Sequence, residues 1–323
     1  MRATFPARAN RAGLSPADVV VALAVAVVAV LFILMALPRS RETARLATCR
    51  RNLAQIGQAV LMYDGMTGGL PFVAPLVPVA RPLAEAPPSP HMAMLDRLGA
   101  ADFLGVDALG KTVKASATVV PAGGVVAGFL CPSDAAAFGR FDAPVSYRAC
   151  VGSDAAGSDG PFALGRPISA REVERRDGSA FTAAFSERLL GDGRDAPSRV
   201  NYGLVSSMDE SPAADAWRGD AGSTWLPADF RYTLYDHAQP PNAATSKVAR
   251  DGRSADVGAS SGHVGGVHVL MLDGSARLVA PSVAAEVWRA MGSVGPEPTE
   301  TTSGPSIRRL PPSRGKTDRE AAG

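Results

Sequence analysis

Val19 to Leu37 reads VVVALAVAVVAVLFILMAL, nineteen residues with no charge and no hydrogen-bonding side chain. Wound as a helix, such a run is about 28 Å long, close to the hydrocarbon thickness of a bilayer. Its many valines are weak helix formers in water, but in lipid a single segment satisfies its backbone only as a helix. Arg2, Arg8 and Arg11 precede the run with no acidic residue among them, which favours a cytoplasmic N-terminus. Arg39, Arg41 and Arg45 follow it and reduce that asymmetry. A cleaved secretory signal fits less well. The run is too long, and Met35-Ala36-Leu37 before Pro38 lacks the small residues of a cleavage site.

Past Pro38 the pattern changes. Ala44, Leu46, Leu53, Ile56, Val60 and Leu61 recur at helical spacing, with Arg45, Arg50, Arg51, Asn52, Gln55 and Gln58 between them. This predicts a helix running to Tyr63 and ending near Gly65, Gly68 and Gly69. The expected fold is α+β: one long helix over residues 14–65, transmembrane in its first half, packed by its second half on an antiparallel β-sheet domain over 66–297. Residues 1–13 read as a leader. Residues 298–323, with Arg308, Arg309, Arg314, Lys316 and Arg319, read as a disordered basic tail.

Composition sets the outer bounds. The chain has 323 residues, 46% hydrophobic and 20% charged, so it can build a core and is not disordered throughout. With 33 Gly and 26 Pro, many turns are expected. The net charge of +2 supplies no field for nucleic acid. Three cysteines are too few for a cystine framework, and no zinc-type spacing, phosphate-binding glycine loop or internal repeat occurs. No metal and no cofactor are therefore expected.

Val267 to Leu272 and Ala276 to Val279 flank Asp273-Gly274, the strongest hairpin signal in the chain. Gly274 supplies a positive φ, and Asp273 can bond the turn backbone. Further strands are expected in Val113–Val126, Tyr202–Ser206 and Phe230–Tyr235, and Pro71–Pro90 reads as an irregular extended segment. His263 approaches the hairpin through a Ser/Gly-rich loop. It reads either as a metal ligand or base, or as a buried imidazole fixing loop and turn. Asp236-His237 could join His263 and Asp273 in a mixed N/O set, without any local ligand spacing to support it. Ser186-Glu187-Arg188 lacks a nucleophile-elbow pattern, and Glu187-Arg188 is expected to form an internal ion pair.

Gly13-Leu14-Ser15-Pro16-Ala17-Asp18, directly before the apolar run, resembles the type IV prepilin cleavage site. That likeness implies cleavage between Gly13 and Leu14 by a prepilin peptidase, methylation of Leu14, and Asp18 in the place of the carboxylate that meets a neighbouring subunit's amine. Beyond it, Cys49-Arg50-Arg51-Asn52-Leu53-Ala54-Gln55-Ile56-Gly57, Leu130-Cys131-Pro132-Ser133-Asp134, Asp177-Gly178-Ser179 with Phe185-Ser186-Glu187-Arg188, and His263 nine residues before Asp273-Gly274 follow in order. Together they resemble the DUF1559 family, pilin-like proteins with a prepilin N-terminus and a C-terminal H-X9-DG motif. The resemblance assigns His263, Asp273 and Gly274 to that motif without a chemistry.

If the helix crosses with its N-terminus inside, Cys49, Cys131 and Cys150 all face the oxidising side. The resemblance implies that Cys49 and Cys131 are disulfide partners. That bridge closes a loop of about 80 residues and adds on the order of 4 kcal/mol. A 131–150 bridge competes with it, and free buried thiols are the third possibility. The function so implied is that of a pseudopilin-like structural or interaction protein of the cell envelope, not an enzyme. It is single-pass in the cytoplasmic membrane with its domain extracytoplasmic. Its partners are the peptidase, the bilayer and like subunits met through the helix, with no nucleic acid. The alternatives are a helix-anchored module binding a polysaccharide or protein and, as the weaker reading, an extracytoplasmic enzyme using His263 and Asp273.

Overall fold

The computed structural model describes residues 16–95, 124–134, 139–208 and 214–296, with the side chains of 32–40 and 84 outside that description. Gly13, Leu14, the leader, the basic tail and most of the strand expected at Val113–Val126 lie outside the described residues.

One helix, α1, runs from Pro16 to Thr67, 52 residues and so about 78 Å. Proline suits a first helical turn, where its missing N–H costs nothing. At the other end Gly68 takes φ 78° and donates its N–H to the Asp64 carbonyl at 2.8 Å, a left-handed cap only glycine adopts freely. Val19, Val20, Val21, Leu23, Val25, Val27, Val28, Val30 and Leu31 are all exposed. Burial begins at Cys49 and continues through Asn52, Leu53, Ile56, Ala59 and Val60, a stripe at three- and four-residue spacing. Ala44 and Leu61, expected in that stripe, are exposed.

Among the described residues no helix is long and apolar enough to cross a membrane. The described part of the apolar run, Val19–Leu31, is about 20 Å of helix against a core of about 30 Å. The side chains of the rest, Phe32–Leu37, lie outside the description.

Among the described residues nine strands form two sheets: β1 Tyr147–Cys150, β2 Ala183–Glu187, β3 Tyr202–Val205, β4 Ala216–Arg218, β5 Leu234–Tyr235, β6 Lys247–Ala249, β7 Ala255–Asp256, β8 Val267–Met271 and β9 Ala276–Val279. The first is ordered β5-β1-β2-β8-β9 and the second β4-β3-β6-β7. Each contains a parallel pair, β1 with β5 and β3 with β6. The antiparallel sheet expected from the sequence is thus two mixed sheets. Parallel neighbours need long crossovers, and here those run through other strands: β2, β3 and β4 lie between β1 and β5, and β4 and β5 lie between β3 and β6. The strand expected at Phe230–Tyr235 shrinks to Leu234–Tyr235, because Asp229 accepts the Arg231 N–H at 2.7 Å and turns the chain first.

The hairpin forms as expected: β8 pairs antiparallel with β9, and Gly274 has φ 87°. The described residues also form three short helices: α2 Pro90–Leu95, α3 Ala170–Arg176 and α4 Ala285–Gly292. Ser169 caps α3, and Asp64 of α1 accepts the Ala170 N–H at 2.9 Å, tying the two helices.

Alternation along β8 divides the core. Leu270 joins the apolar cluster under α1, whereas Val267, Val269 and Met271 face the other side, with Trp288, Tyr235 and Cys150. The helix crosses β2, β8 and β9 on the first of these faces. Gly57 permits this approach, since a Cβ there would lie 3.0 Å from Leu270 Cδ1 and 3.1 Å from Gly274 Cα.

Candidate functional site

Where the buried stripe of α1 begins, side chains from four distant stretches meet. Cys49 comes from the helix. Cys131 stands on the turn after the 3-10 segment Ala127–Phe129, which packs on α1. Glu187 ends β2, and His263 lies on the loop before β8. Their ligating atoms all lie within 4.8 Å of one another, and all four residues are buried.

The local structure explains why they converge. Gly262 brings its loop against the Cys131-Pro132-Ser133 turn so closely that a Cβ would sit 2.4 Å from the Ser133 carbonyl oxygen. The Ser260 N–H bonds the Glu187 carbonyl oxygen at 2.9 Å and fixes the loop on β2. Asp134 accepts the Leu190 N–H at 2.8 Å and the Ser146 hydroxyl at 3.3 Å, which holds the cysteine-bearing turn against the sheet.

At the centre, His263 Nε2 is 3.2 Å from Cys49 Sγ, 3.3 Å from Cys131 Sγ and 3.3 Å from Glu187 Oε1. Its Nδ1 lies 2.6 Å from Glu42 Oε1, two helical turns before Cys49 on the same face of α1. Ser133 Oγ also reaches Glu42, at 3.3 Å. The Glu187 carboxylate accepts the His268 backbone N–H at 2.8 Å and lies 3.2 Å from His268 Nδ1. Cys131 Sγ is 3.5 Å from Glu187 Oε1 and 2.7 Å from Cys49 Sγ, and both thiols are free.

The titrations follow from this packing. Burial pushes the Glu187 carboxyl up, but the bonds from His263 and His268 overcome it and hold the pKa at about 2. For His263 burial works downward, and the bonds to Cys49 and Glu187 raise it to about 11. The two thiols titrate as a pair. The hydrogen bond from Cys131, with help from His263, lowers Cys49 to about 6, while Cys131 as the donor is raised. The cluster is therefore charged in a dry place, with two sulfurs, an imidazole and a carboxylate facing inward. Such a set can hold a thiophilic cation or close a disulfide.

Several sequence expectations resolve differently. Glu187 and Arg188 do not pair: adjacent strand residues point to opposite faces. Arg188 instead donates to Ser260 Oγ at 2.8 Å and Ser246 Oγ at 3.0 Å. Neither is His263 tied to the hairpin turn. Asp273 is exposed there, accepting the Ser275 N–H at 2.8 Å, so His263 and Asp273 have separate partners.

Asp236 and His237 also serve elsewhere. The Asp236 carboxylate accepts the Val257 and Ala238 N–H groups at 2.7 and 3.0 Å. His237 stacks on Trp288 at 3.7 Å between centroids and places Nδ1 2.6 Å from the Trp288 carbonyl oxygen. Burial lowers its pKa to about 4, so the ring is neutral, donating from Nδ1 and accepting from the Tyr235 hydroxyl at Nε2. Cys150 lies in this second cluster, Sγ 3.5 Å from the Gly292 carbonyl oxygen, apart from Cys49 and Cys131. Asp18 lies in the first turn of α1.

Sequence reasoning paired Cys49 with Cys131 through the family resemblance, but kept His263 apart from them. Glu187 was misassigned and Glu42 was passed over. The one signal for Glu42 was its seven-residue spacing from Cys49, two helical turns along one face.

No curated protein and no solved structure matches this chain. A family model described as a protein of unknown function (DUF1559) matches residues 38–286, a stretch that holds every residue of the cluster from Glu42 to His268. The chain belongs to the DUF1559 family.

Proposed function

We propose that the protein is a pilin-like structural subunit of the cell envelope, anchored by α1 in the cytoplasmic membrane with its α+β domain on the extracytoplasmic side. The observation that carries this reading is the division of one unbroken helix. From Val19 to Leu31 its large apolar side chains are exposed, and from Cys49 to Val60 its apolar stripe is buried in the domain. An apolar helical surface of that extent needs a cover, which lipid or a bundle of like helices provides. In sequence the apolar run continues to Leu37, long enough for a bilayer.

On this reading a prepilin peptidase cuts between Gly13 and Leu14 and the new amino terminus is methylated. Asp18 then offers its carboxylate to the amine of a neighbouring subunit, where an unpaired charge in lipid would be expensive. Function follows from placement of the domain, and no catalysis is assigned to the chain. Mass spectrometry of the mature protein tests this. A methylated Leu14 at the N-terminus is the expected result. An intact Met1, or a cut elsewhere, would sink the reading.

A further inference from the structure

We propose that Cys49, Cys131, His263 and Glu187 form a buried tetrahedral site for one thiophilic divalent cation, zinc by ligand class, which ties α1 to the sheet domain. Two sulfurs, one imidazole nitrogen and one carboxylate oxygen are a ligand set that zinc takes readily. Bond lengths of about 2.3 Å to sulfur and about 2.0–2.1 Å to nitrogen and oxygen give a tetrahedron with edges of roughly 3.3–3.8 Å. Here the edges from His263 Nε2 are 3.2, 3.3 and 3.3 Å, and that from Cys131 to Glu187 is 3.5 Å. The sulfur–sulfur edge, 2.7 Å, is the short one and must open by about 1 Å to meet those bond lengths.

The surrounding groups match what metal ligands ordinarily require. A ligating histidine usually gives its other ring nitrogen to a carboxylate, which fixes tautomer and ring orientation. His263 does so through Nδ1 to Glu42 Oε1 at 2.6 Å. A ligating carboxylate is in turn held by donors, and Glu187 Oε2 accepts the His268 N–H at 2.8 Å. Each ligand comes from a different element, so the site exists only when helix, turn, strand and loop are assembled, and binding stabilises the fold. The family's helix cysteine, its second cysteine and its motif histidine thereby acquire one shared role. This holds whether α1 is covered by lipid or by like helices.

Metal and disulfide exclude each other at this pair, because a Cys49–Cys131 bridge consumes both sulfur ligands. The test uses the full chain in detergent, isolated with a thiol-blocking reagent present and without added metal. One bound zinc per chain, with Cys49 and Cys131 unmodified until a chelator is added, is the expected result. Exchange of that zinc for cobalt(II) should give thiolate-to-cobalt charge transfer and the visible bands of a tetrahedral centre. Those bands should be lost in Cys49→Ser. In His263→Asn and Glu187→Gln they should weaken, with metal affinity lower by about 10-fold or more. A chain two hydrogens lighter, its two cysteines bridged, would overturn the proposal. So would a reduced wild-type chain, folded by circular dichroism, that takes up no cobalt.

Discussion

Glu187 keeps its charge although only 1% of the residue is exposed, because two histidines face it. Removing it leaves the His268 N–H without its acceptor and takes from His263 Nε2 its carboxylate partner in a dry place. Glu187→Ala in the chelator-treated protein should cost about 3–5 kcal/mol by urea unfolding, whereas Glu286→Ala at an exposed position of α4 should change stability by under about 0.5 kcal/mol. Asp236 behaves in the opposite sense. Burial, then the charge of Asp256, raises its pKa to about 8 against the pull of two backbone N–H groups and Arg188. A raised carboxyl gives stability that is fully present below the ordinary pKa near 4 and lost as pH climbs through 8. The contribution of this carboxyl to stability should therefore fall between about pH 4 and pH 8, by at most about 1.4 kcal/mol per unit for this one proton. Asp236→Asn should flatten that slope. Single residues are also where the sequence was least legible. Glu187 and Arg188 adjoin in the chain, yet the strand sends one to the cysteine cluster and the other to Ser246 and Ser260.

Among elements, the contact of α1 with the β8–β9 hairpin governs the rest, because α1 carries Cys49 to Cys131, Glu187 and His263. Gly57 sets its closeness. Gly57→Val should push α1 off Leu270 and Gly274, costing about 1–3 kcal/mol by overpacking, and Gln58→Val on the exposed face should stay within about 0.5 kcal/mol. Thermal unfolding of both variants checks the contrast; equal effects would show that the helix does not press on the hairpin there. Helix and hairpin were both legible in the sequence, since each carries its own period and its own glycine. The parallel pairs β1–β5 and β3–β6 were not, because strands of two to four residues show too little alternation to reveal a partner.

At the scale of the whole molecule, the division of α1 separates folding from placement. Its buried stripe starts at Cys49, so a chain beginning at Arg41 keeps Glu42 and every helix residue in the core. That truncation should show nearly the wild-type thermal transition and remain in the soluble fraction, with the full chain pelleting with membranes. A truncated chain that still sediments with membranes would place the anchor outside the helix.

The amino-acid sequence by itself determined the long helix, its change from apolar all round to a one-sided stripe, the Asp273-Gly274 hairpin and the family. Each is written in neighbouring residues, where spacing and turn chemistry act locally. Only the tertiary structure decided that Glu42, Cys49, Cys131, Glu187, His263 and His268 share one site. They lie up to 226 positions apart along the chain. What joins them is the helix crossing the sheet, a contact made by burial of apolar surface, which is non-directional and leaves no spacing rule behind.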